Sequence, residues 1–105
     1  MIKRLVKMRF RPEEVDEFKA LFDQQKEKIR AFPGCEFLEL LQSMDDPQIF
    51  FTLSYWTGED ALEAYRSSQL FKGTWAATKQ LFEARPEAWS TISQTIVDRD
   101  ENNTQ

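Results

Sequence analysis

The feature that most constrains the fold is the order in which two hydrophobic periods follow each other along the chain. Residues 2–10 alternate, with Val6, Met8 and Phe10 on one side and Lys7 and Arg9 on the other. Alternation of this kind is typical of a strand that is buried on one face only. The pattern then changes to helical spacing after Pro12, so a strand is followed directly by an amphipathic helix.

The same two periods return later in the chain, and turn residues mark each change. Pro33-Gly34 ends the first helix, and Asp45-Asp46-Pro47 is a turn signature between two apolar runs that we interpret as a hairpin. A second helical pattern is interrupted at Ser67-Ser68 and ends before Pro86. We therefore predict strands at 2–10, 35–43, 49–56 and 89–97, one helix after the first strand and a split helix after the third.

This order, strand, helix, strand, strand, helix, strand, predicts the fold class. It describes an α+β sandwich of the ferredoxin-like βαββαβ type, with an antiparallel sheet covered by helices on one face. We expect a single domain at 1–97 and a polar tail at 98–105. Strands two and three are apolar on both sides, so Phe50 or Phe51, and Phe37 or Leu38, must lie on the uncovered face. An exposed apolar face normally meets a partner, and we expect a sheet-to-sheet homodimer.

Composition excludes most conventional chemistry. The 105-residue chain has no histidine, which excludes catalytic triads, imidazole zinc sites and histidine-ligated haem. Three glycines without a Gly-rich loop give no support for flavin or nicotinamide, and we expect neither a cofactor nor a metal. The single Cys35 has no base to activate it, so we expect a buried structural thiol.

Charge and targeting signals point to a protein without nucleic-acid or membrane partners. The net charge is −4, which does not favour binding to a polyanion. Five basic residues do fall within the first eleven positions, and we interpret them as the outward face of the first strand rather than a phosphate-binding strip. No apolar run resembles a signal peptide or a membrane span, so we expect a cytoplasmic protein. The five basic residues within the first eleven positions are Lys3, Arg4, Lys7, Arg9 and Arg11.

Aromatic residues are concentrated between Trp56 and Trp89, and they predict a cavity with aromatic walls. Tyr65 and Trp75 stand on either side of the helix break, and each ring has one polar atom that is costly to bury unpaired. We predict these two as the functional pair, with Met8, Phe22 and Phe71 as the apolar wall. The alternative is that the same rings only fill the core between sheet and helices.

Three sequence features together indicate a known family. They are Phe32-Pro33-Gly34-Cys35, the Asp45-Asp46-Pro47 turn, and the run Trp56, Thr57, Glu59, Leu62, Tyr65, Ser68, Phe71, Trp75. In these features the chain resembles the antibiotic biosynthesis monooxygenase family, whose members are small dimeric ferredoxin-like proteins, and the resemblance covers residues 1 to about 97.

The resemblance implies two activities, and only one matches this chain. Haem-degrading members use an asparagine in the first strand, a tryptophan in the first part of the split helix and a histidine ligand in the second part. Here the first strand has no asparagine, and Tyr65 and Trp75 stand at the other two positions. Haem degradation is therefore not expected.

Other members oxidise aromatic polyketides to quinones without metal or flavin. We expect a cofactor-independent monooxygenase acting on a small aromatic or quinol-type metabolite, with Tyr65 and Trp75 hydrogen-bonding a substrate oxyanion. The alternative is a non-catalytic dimeric module that binds a hydrophobic small molecule.

Overall fold

The computed structural model describes residues 1–99, and its elements follow the predicted order. A 3-10 turn at Pro12–Glu14 leads into the first helix, where Pro12 supplies a backbone angle suited to a helix start. The elements are β1 (Ile2–Arg9), α1 (Val15–Arg30), β2 (Cys35–Gln42), β3 (Ile49–Trp56), α2 (Glu59–Arg66), α3 (Gln69–Lys79) and β4 (Glu87–Thr91).

The four strands form one antiparallel sheet in the order β2-β3-β1-β4. This confirms the ferredoxin-like α+β fold predicted from the sequence. Side chains alternate between the two faces of a strand, so Val6 and Met8 of β1 share the helix face with Phe50 of β3. Phe50 is buried, and its neighbour Phe51 lies on the opposite face.

β4 is shorter than predicted, and the register explains why. The sequence predicted a strand at 89–97, but β4 ends at Thr91, which pairs with Lys3 of β1. Because β1 runs antiparallel and begins at Ile2, it offers almost no backbone beyond this pair. Ile92, Ile96 and Val97 continue the apolar pattern but are exposed and lie outside the sheet. The predicted tail lies largely outside the described residues, which end at 99.

The helix side of the sheet holds two separate core clusters. One consists of Ile2, Cys35, Trp56 and Leu62. The other is centred on Phe10 and Phe18, whose rings stack with centroids 4.0 Å apart, together with Met8 and Phe50. Cys35 is buried with its pKa raised by desolvation, in keeping with the expected structural thiol.

The other face of the sheet has no covering element among residues 1–99. Trp89 of β4 is 44% exposed on this face. It pairs with Leu5 of β1, and Leu5 pairs on its other side with Leu53 of β3. These side chains lie half-buried or exposed, whereas those on the helix face include the buried core. The apolar and aromatic members of this open sheet face are Leu5, Phe37, Leu41, Phe51, Leu53, Tyr55 and Trp89.

Candidate functional site

A cavity of about 310 Å³ lies between the helix face of the sheet and the helices. Its floor is built from β1 and β3, where Met8 and Thr52 point toward the helices. Its walls come from the aromatic and aliphatic side chains of α1, α2 and α3. The volume is at the low end of the ~300–1,000 Å³ typical of ligand sites, so a ligand that fills it is small.

The aromatic wall is a continuous chain of ring contacts. Tyr65 stacks on Trp56 with centroids 4.8 Å apart, and it meets Phe71 edge to face at 5.2 Å. Phe71 stacks on Trp75 at 5.8 Å, and Trp75 meets Phe82 at 5.6 Å. This series of ring contacts joins the two core clusters across the cavity, since Trp56 belongs to one cluster and Trp75 packs against the other.

The break between α2 and α3 places Tyr65 and Phe71 against each other. The hydroxyl of Ser68 donates to the Tyr65 carbonyl at 2.6 Å and accepts from the Phe71 N–H at 3.1 Å. It therefore satisfies the end of one helix and caps the start of the next. The serine pair that interrupted the helical period in the sequence thus sets the geometry of the wall.

Tyr65 lines the cavity, and its hydroxyl is neutral near pH 7. Burial, and secondarily the nearby Cys35 thiol, raises the pKa of Tyr65 to about 12, so the group donates rather than acts as a base near pH 7. No hydrogen-bond partner for it is found within residues 1–99. Since no fully buried side-chain nitrogen or oxygen of the described residues lacks a partner, this hydroxyl is accessible.

The three tryptophans have different environments. The indole N–H of Trp56 donates to Ser54 at 2.9 Å inside the core, so this donor is already satisfied. Trp89 lies on the open sheet face. Trp75 is half-buried on the cavity wall, and its indole N–H has no partner in the described part of the chain. Tyr65 and Trp75 are therefore the aromatic residues of the cavity whose donor has no partner within residues 1–99.

The structure brings all five predicted site residues to this one cavity. Tyr65, Trp75, Met8, Phe22 and Phe71 each line it. Their roles in binding or catalysis stay predictions, because the same rings also contribute to the core. Met8 in particular is almost fully buried.

Two arginines at the cavity were missed by sequence reasoning. Arg4 of β1 and Arg66 at the end of α2 both line it. The interpretation of the basic residues of β1 as an outward face is wrong for Arg4, which shares the helix face with Val6 and Met8. The signal was present, since positions 4, 6 and 8 have the same parity on a strand.

The cavity offers hydrogen-bond donors but no conventional base. None of the described residues that line it is an aspartate, glutamate or histidine. Across residues 1–99, no group of three or more His, Cys, Asp or Glu side chains could hold a metal ion. The arrangement can therefore bind and polarise an aromatic molecule and stabilise negative charge on it.

Comparison with known proteins assigns this fold and cavity to a family. A family model described as antibiotic biosynthesis monooxygenase matches residues 1–77. The chain belongs to the antibiotic biosynthesis monooxygenase family, as the resemblance predicted. The match includes β1 to α2 and most of α3, so it covers every predicted site residue.

Solved structures show the same fold at low sequence identity. A conserved protein from Methanosarcina mazei Go1 superposes with a TM-score of 0.85 at 24% identity, covering 89% of this chain and 92% of that one. An antibiotic biosynthesis monooxygenase gives 0.85 at 20% identity, covering 90% and 100%. Rv0793 from Mycobacterium tuberculosis gives 0.83 at 18%, covering 92% and 98%. A search of curated proteins finds no match.

The helices have no membrane-spanning character. Within residues 1–99, none is both long enough and apolar enough to cross a bilayer.

Proposed function

We propose that this protein is a cofactor-independent monooxygenase that acts on a small aromatic or quinol-type metabolite in the cavity. One observation carries the proposal: Tyr65 and Trp75 both line the cavity, and neither the phenol hydroxyl nor the indole N–H has a hydrogen-bond partner within residues 1–99. Membership of the antibiotic biosynthesis monooxygenase family supports it.

The chemistry needs little from the protein. An anthrone-type substrate loses a proton from its ring CH₂, and the resulting carbanion transfers an electron to O₂. Recombination forms a C–O bond, and loss of water leaves a ketone, so the CH₂ and O₂ become C=O and H₂O. The protein holds the ring, excludes water and stabilises the oxyanion of the ionised substrate through Tyr65 and Trp75.

The absence of a lining carboxylate or imidazole limits how the substrate is ionised. No described side chain at the cavity is a carboxylate or an imidazole that could accept its proton near pH 7, and Tyr65 is held neutral. We infer that the substrate gives up its proton to solvent before it is enclosed, and that hydrogen bonds and positive charge in the cavity favour the anion. Substrates that ionise readily should therefore react fastest.

A second candidate is a dimeric module that binds a hydrophobic small molecule without turnover. The observation that favours it is the dual role of Tyr65, which stacks on Trp56 and packs against the core around Leu62. An aromatic lining of this kind is sufficient for binding, and turnover is not required to explain it.

Oxygen uptake on a panel of anthrone, naphthol and quinol substrates separates the two. Catalysis predicts enzyme-dependent uptake with formation of the quinone, seen by absorbance and mass spectrometry. Binding without turnover predicts saturable calorimetric titration of the same compounds under nitrogen and no uptake in air. Buffer with heat-denatured protein is the control, because these compounds also autoxidise.

We also propose that the protein is a homodimer joined through the open sheet face. The support is its seven apolar and aromatic side chains, which no element of residues 1–99 covers. An exposed patch of this kind on a monomer is an aggregation hazard.

A further inference from the structure

Arg4 is a half-buried cation without an anionic partner among residues 1–99. It lies on the helix face of β1, and its guanidinium donates to the hydroxyl of Ser90 on β4 at 2.9 Å. Arg9, on the opposite face of the same strand, shows the usual arrangement. It forms ion pairs with Asp46 at 2.6 Å and Glu83 at 2.9 Å.

Arg66 adds a second positive charge to the same cavity. It is the last residue of α2, where a cation is favoured by the helix dipole, so its position has a structural reason as well. The pKa of Arg4 is lowered mainly by desolvation, and repulsion by the charge of Arg66 lowers it further. Arg66 is exposed, so its own charge stays largely hydrated, whereas Arg4 is half-buried in a cavity that no described acid lines.

This arrangement has a free-energy cost that a bound anion would offset. Removing a charge from water is unfavourable unless it is paired, and like charges that share a site are unfavourable as well. A guanidinium presents a planar fork of donors that matches a planar oxyanion. The overall net charge of −4 would not attract an anion, so selectivity for an anion has to arise locally, from Arg4 and Arg66 together with the neutral donors of the cavity.

We propose that the cavity takes an anionic aromatic ligand whose oxyanion, either a ring carboxylate or an ionised phenol, faces Arg4 and Arg66. The ring then lies along the wall formed by Tyr65, Phe71 and Trp75. This inference deepens the proposed function, since it names the charge class of the ligand for the same cavity. It rests on the monooxygenase proposal only for the identity of the site, because charge-selective binding does not require turnover.

The test compares ligands of matched shape under nitrogen by isothermal titration calorimetry. The probes are 2-naphthoate, which carries a carboxylate near pH 7, and 2-naphthamide, which is its neutral isostere. Naphthoate should bind at least tenfold more tightly to the wild-type protein. A third probe, 2-naphthol, is neutral in water near pH 7, and the absorbance of bound naphtholate would show that an ionised phenol also satisfies the site.

Substitutions show whether the two arginines cause the selectivity. Arg4→Gln and Arg66→Gln should each weaken naphthoate binding about tenfold and leave naphthamide binding within twofold. Arg4→Lys keeps the charge and should retain most of the preference. Arg85→Gln is the matched control, because Arg85 is exposed and does not line the cavity. Circular dichroism and thermal unfolding check that each variant is folded.

Each outcome either supports or overturns the inference. Equal affinities for naphthoate and naphthamide, a preference that survives both Gln variants, or no binding of any probe would overturn it. Charge-selective binding without oxygen uptake on the substrate panel would support it while removing the monooxygenase proposal. Turnover of neutral substrates with no charge preference would support the monooxygenase proposal and overturn the inference of an anionic ligand.

Discussion

The phenol ring of Tyr65 stacks on the indole of Trp56 with centroids 4.8 Å apart and an interplanar angle of 25°. This contact fixes Tyr65 to the core around Trp56, while Trp75 packs against the core around Phe18. The cavity lies between these cores, with Phe71 in contact with both rings. Site and core thus share side chains, so only substitutions that keep the ring can separate binding from packing.

Tyr65→Phe should lower turnover strongly and stability little. The ring and its stacking remain, and the lost hydroxyl has no partner within residues 1–99. If this hydroxyl donates to a substrate oxyanion, its loss costs about 2–4 kcal/mol of transition-state stabilisation, roughly a hundredfold in rate. Steady-state oxygen uptake and urea unfolding measure the two effects.

Trp75→Phe is the companion variant, because it removes the indole donor while keeping an aromatic wall. Trp89→Phe is the tryptophan control outside the cavity, since Trp89 lies on the other face of the sheet. Because Trp89 belongs to the proposed dimer face, sedimentation checks that this variant keeps the mass of the wild type. A folded Tyr65→Phe, Trp75→Phe double variant with undiminished turnover and ligand affinity would assign both residues to the core alone.

The pKa of Tyr65 predicts a loss of stability at alkaline pH. Burial raises this pKa from its ordinary value of 10.0 to about 12. Between these values the folded protein keeps a proton that the unfolded chain has released, so the free energy of unfolding falls as pH rises. Tyr65→Phe should therefore lose less stability than the wild type between about pH 10 and about pH 12.

Urea unfolding at several pH values measures this difference. Comparing the two proteins at each pH removes the part of the Cys35 contribution that does not depend on Tyr65, since the pKa of Cys35 is also raised by desolvation. Parallel pH profiles for wild type and variant would mean that Tyr65 is not desolvated as described.

The fold was predictable because each of its main elements has a local signal. The alternation of Val6, Met8 and Phe10 placed their side chains on the helix face, and Pro33-Gly34 and Pro86 marked two boundaries. The same alternation places Arg4 on the face of Val6 and Met8, and therefore toward the cavity. The clustering of basic residues in β1 instead suggested that Arg4 lies on the outward face.

Other features depended on pairing that a single sequence does not contain. Both Phe50 and Phe51 fit a strand that is apolar on two sides, and only the register with Met8 and Lys7 assigns Phe50 to the core. The early end of β4 has the same origin, because it is set by where β1 begins rather than by any breaker near Thr91. Likewise, the sequence does not show that Arg4 of β1 and Arg66 of α2 line the same cavity.

Gly34 should not tolerate a side chain. Its φ of +90° is in the left-handed region, and an added Cβ would collide with the Cβ of Ala61 on α2. Its carbonyl also accepts from the Thr57 N–H at 2.9 Å, which ties this turn to the start of α2. Gly34→Ala should therefore lower the free energy of unfolding by about 1–3 kcal/mol, measured by urea unfolding.

Gly73→Ala is the matched control for this change. Gly73 lies within α3 with open space around its Cα, so alanine should stabilise the helix by about 0.5–1 kcal/mol. Ala61→Gly in α2 is itself destabilising, so the comparison uses it as the background. Adding Gly34→Ala to Ala61→Gly should cost less than adding it to the wild type, because the steric part of the loss is removed and the backbone strain remains. A Gly34→Ala protein as stable as the wild type would contradict the described turn.

The open sheet face predicts the oligomeric state and the residues that determine it. Sedimentation of the wild type at micromolar concentration should give about twice the 12.4 kDa chain mass. Leu53 lies near the centre of this face, flanked by Leu5 and Glu39, so Leu53→Asp would place a charge in an apolar contact and should yield monomer. Ala64→Asp makes the same charge change on the exposed side of α2 and should leave the dimer intact. A wild-type mass near 12.4 kDa would show that the face stays open in solution.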